Sequence, residues 1–205
     1  MKRSLACATG VLFFWLMAIP VAAAAEDGFA RAGGTAGFLD FRGFRIKPPP
    51  GENWVQVERD HTRAFFGKRT GALTHTFVAL VFTEILPDSV GIDSLAGFFE
   101  FIRGLSRARI IPGRHWFLEE EFATEGTPAP TCIRHRLKVL DTGSVHAPHI
   151  PLLLVLTGLS CAHPQSLRTT IHVHYEERGG PEPASEQLQR EGEEFINGIV
   201  FTPLE

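Results

Sequence analysis

Nine histidines stand in a chain of 205 residues, and the way three of them are spaced is the first hint of chemistry. His172-Val173-His174 sets two imidazoles two positions apart, and two positions on a β-strand means the same face. If the chain from 151 to 176 folds into a hairpin whose paired numbers sum to about 330, Gly158 lies between His135 on one side and His172 on the other. The side chain missing at Gly158 leaves a gap into which His135, His172 and His174 converge, with Ser160 beside them. Imidazoles grouped in this way form a ligand set for zinc or copper. The simpler reading of the same residues is polar strand positions that are hydrogen-bonded or wet. His146 and His149 occupy a segment, Thr142 to Pro151, that Pro148 keeps irregular, and such a loop offers a contact surface at its tip.

Cysteine gives a second pattern. Beyond Cys7 the chain has only Cys132 and Cys161. In an antiparallel hairpin built from 131–140 and 151–160 with its tip near Val145 and His146, paired residue numbers sum to about 293, which sets Cys132 opposite Cys161. Cross-strand neighbours have Cβ atoms within about 5.5 Å, close enough for a disulfide after modest adjustment. Closing a loop of this size stabilises a fold by about 3 to 4 kcal/mol on the chain-entropy model.

Other reactive signatures are missing. Gly67-Lys68-Arg69-Thr70 lacks the earlier glycine of a phosphate loop, since position 62 is Thr62, and Thr70 does not directly follow the lysine. Gly158-Leu159-Ser160-Cys161 lacks the second glycine of a nucleophile elbow. Glu119, Glu120 and Glu121 fall on a strand, where alternation sends them to both faces instead of converging them on one cleft. Trp54, Trp116 and Phe117 suit either an aromatic groove or a core, in a chain with 17 phenylalanines.

These residues need a scaffold, and its pattern is mostly strands. Phe44 to Lys47, Trp54 to Glu58, Ala64 to Gly67 and Thr74 to Ile85 read as strands separated by polar or Pro-Gly turns. So do His115 to Ala123, Thr131 to Leu140, Pro151 to Ser160 and Thr169 to Glu176. Leu95, Phe98, Phe99, Ile102 and Leu105 recur at helical spacing after Asp93, a plausible cap, and before Pro112-Gly113. Leu188, Phe195, Ile196 and Ile199 mark a second helix begun by Ser185. The spacing predicts an α+β fold: one domain with a largely antiparallel sheet of about 6–8 strands and two helices, near 93–108 and 185–198, packed on it.

The first 25 residues have a separate role. Lys2 and Arg3 precede an uncharged stretch from Ser4 to Ala25 with an apolar centre at Val11 to Ile19. Pro20 and the small residues up to Ala25 then suit a signal peptidase. The chain therefore divides into a signal peptide at 1–25, a Gly- and Ala-rich lead at 26–40 and the domain at 41–205. Contact with a membrane is expected only through an uncleaved N-terminal segment. Removing Lys2 and Arg3 from the 20 basic side chains leaves 18 against 23 acidic ones, a formal charge of −5, with no basic run. Nucleic acid is not the expected partner.

The strand ending in Pro-Gly before a Trp, from Phe44 to Trp54, resembles the PsbP-like α-β-α sandwich group. So does the order of strands, helix, strands and closing helix, together with Glu191-Gly192-Glu193-Glu194-Phe195-Ile196 running into Ile199-Val200-Phe201. The resemblance spans most of 40–203 and implies a fold and a binding or accessory role, without catalytic residues. The sequence thus supports an exported, non-catalytic domain, periplasmic or secreted, that binds an unidentified envelope or extracellular partner. A metal-binding protein or small metal-dependent enzyme built on His135, His172 and His174 is the alternative.

Overall fold

The computed structural model describes residues 37–69, 75–88, 90, 92–125, 131–144, 147–180 and 185–204. Its centre is a seven-stranded antiparallel sheet. The strands are β3 (Val55–Arg59), β4 (Arg63–Arg69), β5 (Thr76–Ile85), β6 (His115–Glu125), β7 (Cys132–Asp141), β8 (Leu152–His163) and β9 (Ser166–Gly179), in the order β3-β4-β5-β9-β8-β7-β6. A second sheet of three short strands pairs β2 (Phe44–Ile46) with β1 (Leu39–Phe41) on one side and β10 (Val200–Phe201) on the other. β1 takes up Leu39 and Asp40 from the segment expected to be part of the lead, because Leu39 and Phe41 are buried in the core.

Two helices cover opposite faces of the large sheet. α1 (Leu95–Ala108) buries Phe98 and Ile102 with Ile133, Ala162 and Leu86. Its cap is Ser94, whose Oγ accepts from the Gly97 amide at 3.1 Å, and not Asp93; Ser94 has the extended backbone that lets its hydroxyl turn back on the first turn. α2 (Glu186–Asn197), capped by Ser185 as expected, buries Phe195 and Ile196 with Trp54, Phe66, Leu159 and Val173. The alternation of every strand therefore sorts its residues between two different cores.

A charged hub fastens α2 to the sheet. Glu191 is 5% exposed, accepts from Trp54 Nε1 at 3.0 Å and from Lys68 Nζ at 2.6 Å, and lies against Gly51. A Cβ at Gly51 would come within 2.2 Å of the Glu191 carboxylate, and the backbone there has φ +88°, so the Pro-Gly turn before Trp54 requires glycine twice over. Lys68, which sequence reading treated only as part of a failed phosphate loop, is the cation of this hub.

The 293 register is the observed one. Cys132 pairs with Cys161, and the two sulfurs are bonded. The 330 register is corrected: Gly158 faces His174, and Ser160 faces His172, a sum of 332. The ladder is irregular at the β8–β9 turn, where His163 pairs with Ser166 but Ala162 with Thr170, so three extra residues of β9 carry the sum from 329 to 332, two beyond the expected register. A shift of two preserves which face each side chain occupies.

Candidate functional site

Ladder parity places His135, Gly158, Ser160, His172 and His174 on the α1 face, and the structure brings the three predicted histidines together there. The His135 and His174 rings lie 5.3 Å apart and those of His172 and His174 6.0 Å apart. Gly158 leaves the space between them: a Cβ there would lie 2.5 Å from His174 and 2.6 Å from His135. Phe82 stacks on His172 at 4.6 Å. All three imidazoles are buried, as is Ser160 at 1% exposure.

Their protons are assigned by their partners. Arg109, which caps the C-terminal end of α1, donates from Nη2 to His174 Nδ1 at 2.8 Å, and its guanidinium reaches Glu176 at 3.5 Å. A guanidinium only donates, so His174 carries its proton on Nε2. Thr170 donates to the Glu84 carbonyl at 3.4 Å, leaving its oxygen to accept from His172 Nε2 at 3.0 Å. His172 Nδ1 then accepts from Ser160 Oγ at 2.9 Å, and Ser160 Oγ accepts from His135 Nε2 at 3.2 Å. All three rings are neutral in this arrangement, which leaves the His174 Nε2 proton and the His135 Nδ1 lone pair without partners. Burial, reinforced by the Arg109 charge, pushes His135 and His172 down to about 3 and His174 well below its ordinary value.

This bonding changes the metal reading. His172 uses both nitrogens, His174 is protonated on the one it has free, and the only imidazole lone pair left over is that of His135 Nδ1. Among the described residues, no group of three or more His, Cys, Asp or Glu side chains is arranged to hold a metal ion. Nor does Ser160 reach solvent where a substrate could meet it.

The other predicted residues disperse. His149 is exposed on its loop, and His146 lies outside the described residues. Trp54 is wholly buried beside β3, whereas Trp116 (65% exposed) and Phe117 lie on β6 at the opposite edge, so the three do not form one groove. Glu119 is bonded to Lys138, Glu120 to Arg107, and Glu121 is exposed.

An open site occupies the other face. Where α2 stops short of the β6 side of the sheet, a cleft of about 660 Å³ remains. Its floor is Leu153, Val155, Thr157 and Tyr175, and Arg134, Arg136, Lys138, Glu121, Gln189 and Glu193 line it. Arg134 is bound to Glu125, Glu193 and Asn197, Lys138 to Glu119, and Glu177 at one end to His75. Arg136 forms no ion pair with a described residue. It pairs in register with Thr157, and Thr157 with Tyr175, so one ladder row carries a guanidinium, a hydroxyl and a phenol across β7, β8 and β9. The Tyr175 hydroxyl is buried without a hydrogen-bond partner, and burial, followed by the charges of Glu177 and Glu191, pushes its pKa up, so it stays protonated as a donor.

Comparison with known proteins bears on the scaffold. The chain is similar to the solution structure of cyanobacterial PsbP (CyanoP) from Synechocystis sp. PCC 6803, over 89% of this chain and 99% of that one, with 10% identity and a TM-score of 0.40. No family model matches the sequence, and no curated protein matches it.

Sequence reading missed this row, although part of its signal was available. The register that pairs Cys132 with Cys161 also pairs Arg136 with Thr157. Adding Tyr175 required the β8–β9 ladder, where the expected register was two residues out.

Proposed function

We propose that this is an exported, non-catalytic binding or accessory domain whose contact surface is the cleft beside α2. The observation that supports it most is the contrast in access: the histidine cluster is sealed and internally bonded, while the cleft is open, with a partly apolar floor and polar groups around it. Its volume lies within the range of small-molecule sites, about 300 to 1,000 Å³. Export is supported by the Lys2-Arg3 end and apolar stretch of the N-terminal segment and by the Cys132–Cys161 bridge, which persists in oxidising compartments. The partner belongs to the envelope or the extracellular space.

The test is a fragment screen by NMR on the mature protein. Binding is expected to perturb the amides of Leu153, Val155, Thr157 and Tyr175, and Val155→Trp, which fills the floor, should abolish it. Perturbations that avoid these residues, or that survive Val155→Trp, would overturn the reading. The alternative, zinc or copper handling by His135, His172 and His174, predicts stoichiometric metal in the purified protein, lost in the triple Ala variant. The tautomers imposed by Arg109, Ser160 and Thr170 weigh against it.

A further inference from the structure

The cleft row has a composition that selects for charge. Arg136 is exposed and forms no ion pair with a described residue, although its charge reaches Glu119, Thr157 makes no side-chain hydrogen bond, and the Tyr175 hydroxyl is buried without a partner. Neighbouring strands lie about 4.8 Å apart, so the backbone positions of this row span about 10 Å across three adjacent strands. Two of the three are obligate or settled donors, and a hydroxyl adapts to either role. Nearby carboxylates are mostly committed: Glu119 to Lys138, Glu177 to His75, and Glu193 to Arg134. Glu121, paired in register with Arg136, is exposed and forms no ion pair with a described residue. On the next rows of the floor lie Val155 and Leu153, both partly exposed.

Resting on the cleft as the contact surface, we propose that Arg136, Thr157 and Tyr175 bind the carboxylate of an aliphatic acid whose hydrocarbon chain lies over Val155 and Leu153. A guanidinium with nearby hydroxyls matches a planar oxyanion with several lone pairs, and the charge-assisted bond to Arg136 is the strong one. The apolar floor then takes the chain, and the buried phenol gains the partner it lacks.

Titration calorimetry with decanoate, decanol and acetate separates the contributions. Decanoate should bind one to one with a dissociation constant below a millimolar, decanol at least tenfold more weakly, and acetate without saturation. Arg136→Gln should weaken decanoate at least tenfold and leave decanol unchanged, and Thr157→Val and Tyr175→Phe should each cost a few-fold. Because Arg136 is exposed and makes no ion pair, Arg136→Gln should fold as the parent does, which its circular dichroism and unfolding midpoint check. Equal affinity for decanoate and decanol, or decanoate binding indifferent to Arg136→Gln, overturns the carboxylate assignment while leaving the cleft as a contact surface. Failure of decanoate to bind, in a protein whose cleft still takes fragments, overturns it as well. A cleft that takes neither sinks both readings.

Discussion

On β7, residues one position apart occupy different media: His135 is sealed beneath α1, while Arg136 faces the open cleft beside α2. The two faces of the sheet treat polarity in opposite ways. Beneath α1, neutral imidazoles and hydroxyls bond to one another in a chain that excludes solvent and leaves one nitrogen each of His135 and His174 without a partner. Beneath α2, a desolvated ion pair of Lys68 and Glu191 lies in the apolar core, and alongside the helix the same face opens as the cleft. The lesson is that a concentration of reactive residue types marks a site only where the fold leaves them accessible and with unspent valence. The histidines lack the access, whereas in the less conspicuous row Arg136 is exposed, Thr157 is partly exposed and the buried Tyr175 hydroxyl has a bond still to make.

The sharpest way to break this comparison is at the hub. Glu191→Ala leaves Lys68 buried at 9% side-chain exposure with no counterion and should cost about 3 to 5 kcal/mol in denaturant unfolding. Lys68→Met combined with Glu191→Leu should cost much less, since no charge is then stranded. A single-variant loss below about 1 kcal/mol would mean that the α2 face does not desolvate this pair.

The bridge comes next. Reducing Cys132–Cys161, which spans 29 residues, should lower stability by about 3 to 4 kcal/mol and leave a folded domain. Non-reduced mass analysis of exported protein should show both cysteines linked. Quantitative alkylation of both under denaturing, non-reducing conditions would refute the bond.

Acid probes the α1 face. Above pH 6.5 both folded and unfolded chains hold these imidazoles neutral, so they add no pH dependence. As pH falls from 6.5 toward about 3, the unfolded chain binds protons that the folded protein refuses at His135 and His172, and stability falls. One such group costs about 2 kcal/mol at pH 5. His135→Gln should flatten the slope between pH 6.5 and 4.5. An unchanged slope would show that His135 is protonated as readily folded as unfolded.

The smallest effect is the most specific to the cleft. Tyr175→Phe removes a buried hydroxyl that bonds to nothing, so the free protein should be as stable as the parent or up to about 1 kcal/mol more so. A loss above 1 kcal/mol in the midpoint comparison would show that the phenol is already satisfied in the free protein.

Local rules account for much of what was legible in advance. Period-two alternation located the long strands, helical spacing located α1 and α2, and Cys132 with Cys161 pinned the β7–β8 ladder, because a cross-strand bond tolerates only one register. β1 and β10 escaped notice; both owe their pairing to β2, which lies far from β10 in sequence. The same alternation put His135, His172 and His174 on one face, and their convergence survived a register error of two for the reason that parity did. Everything about their state was decided elsewhere. Arg109 at the end of α1, Thr170 two residues before His172, and burial by a helix far away in sequence set the tautomers and left the His135 Nδ1 lone pair without a partner. The cleft likewise exists because α2 ends short of the β6 side of the sheet, a matter of how two distant segments pack, which no single stretch of residues encodes.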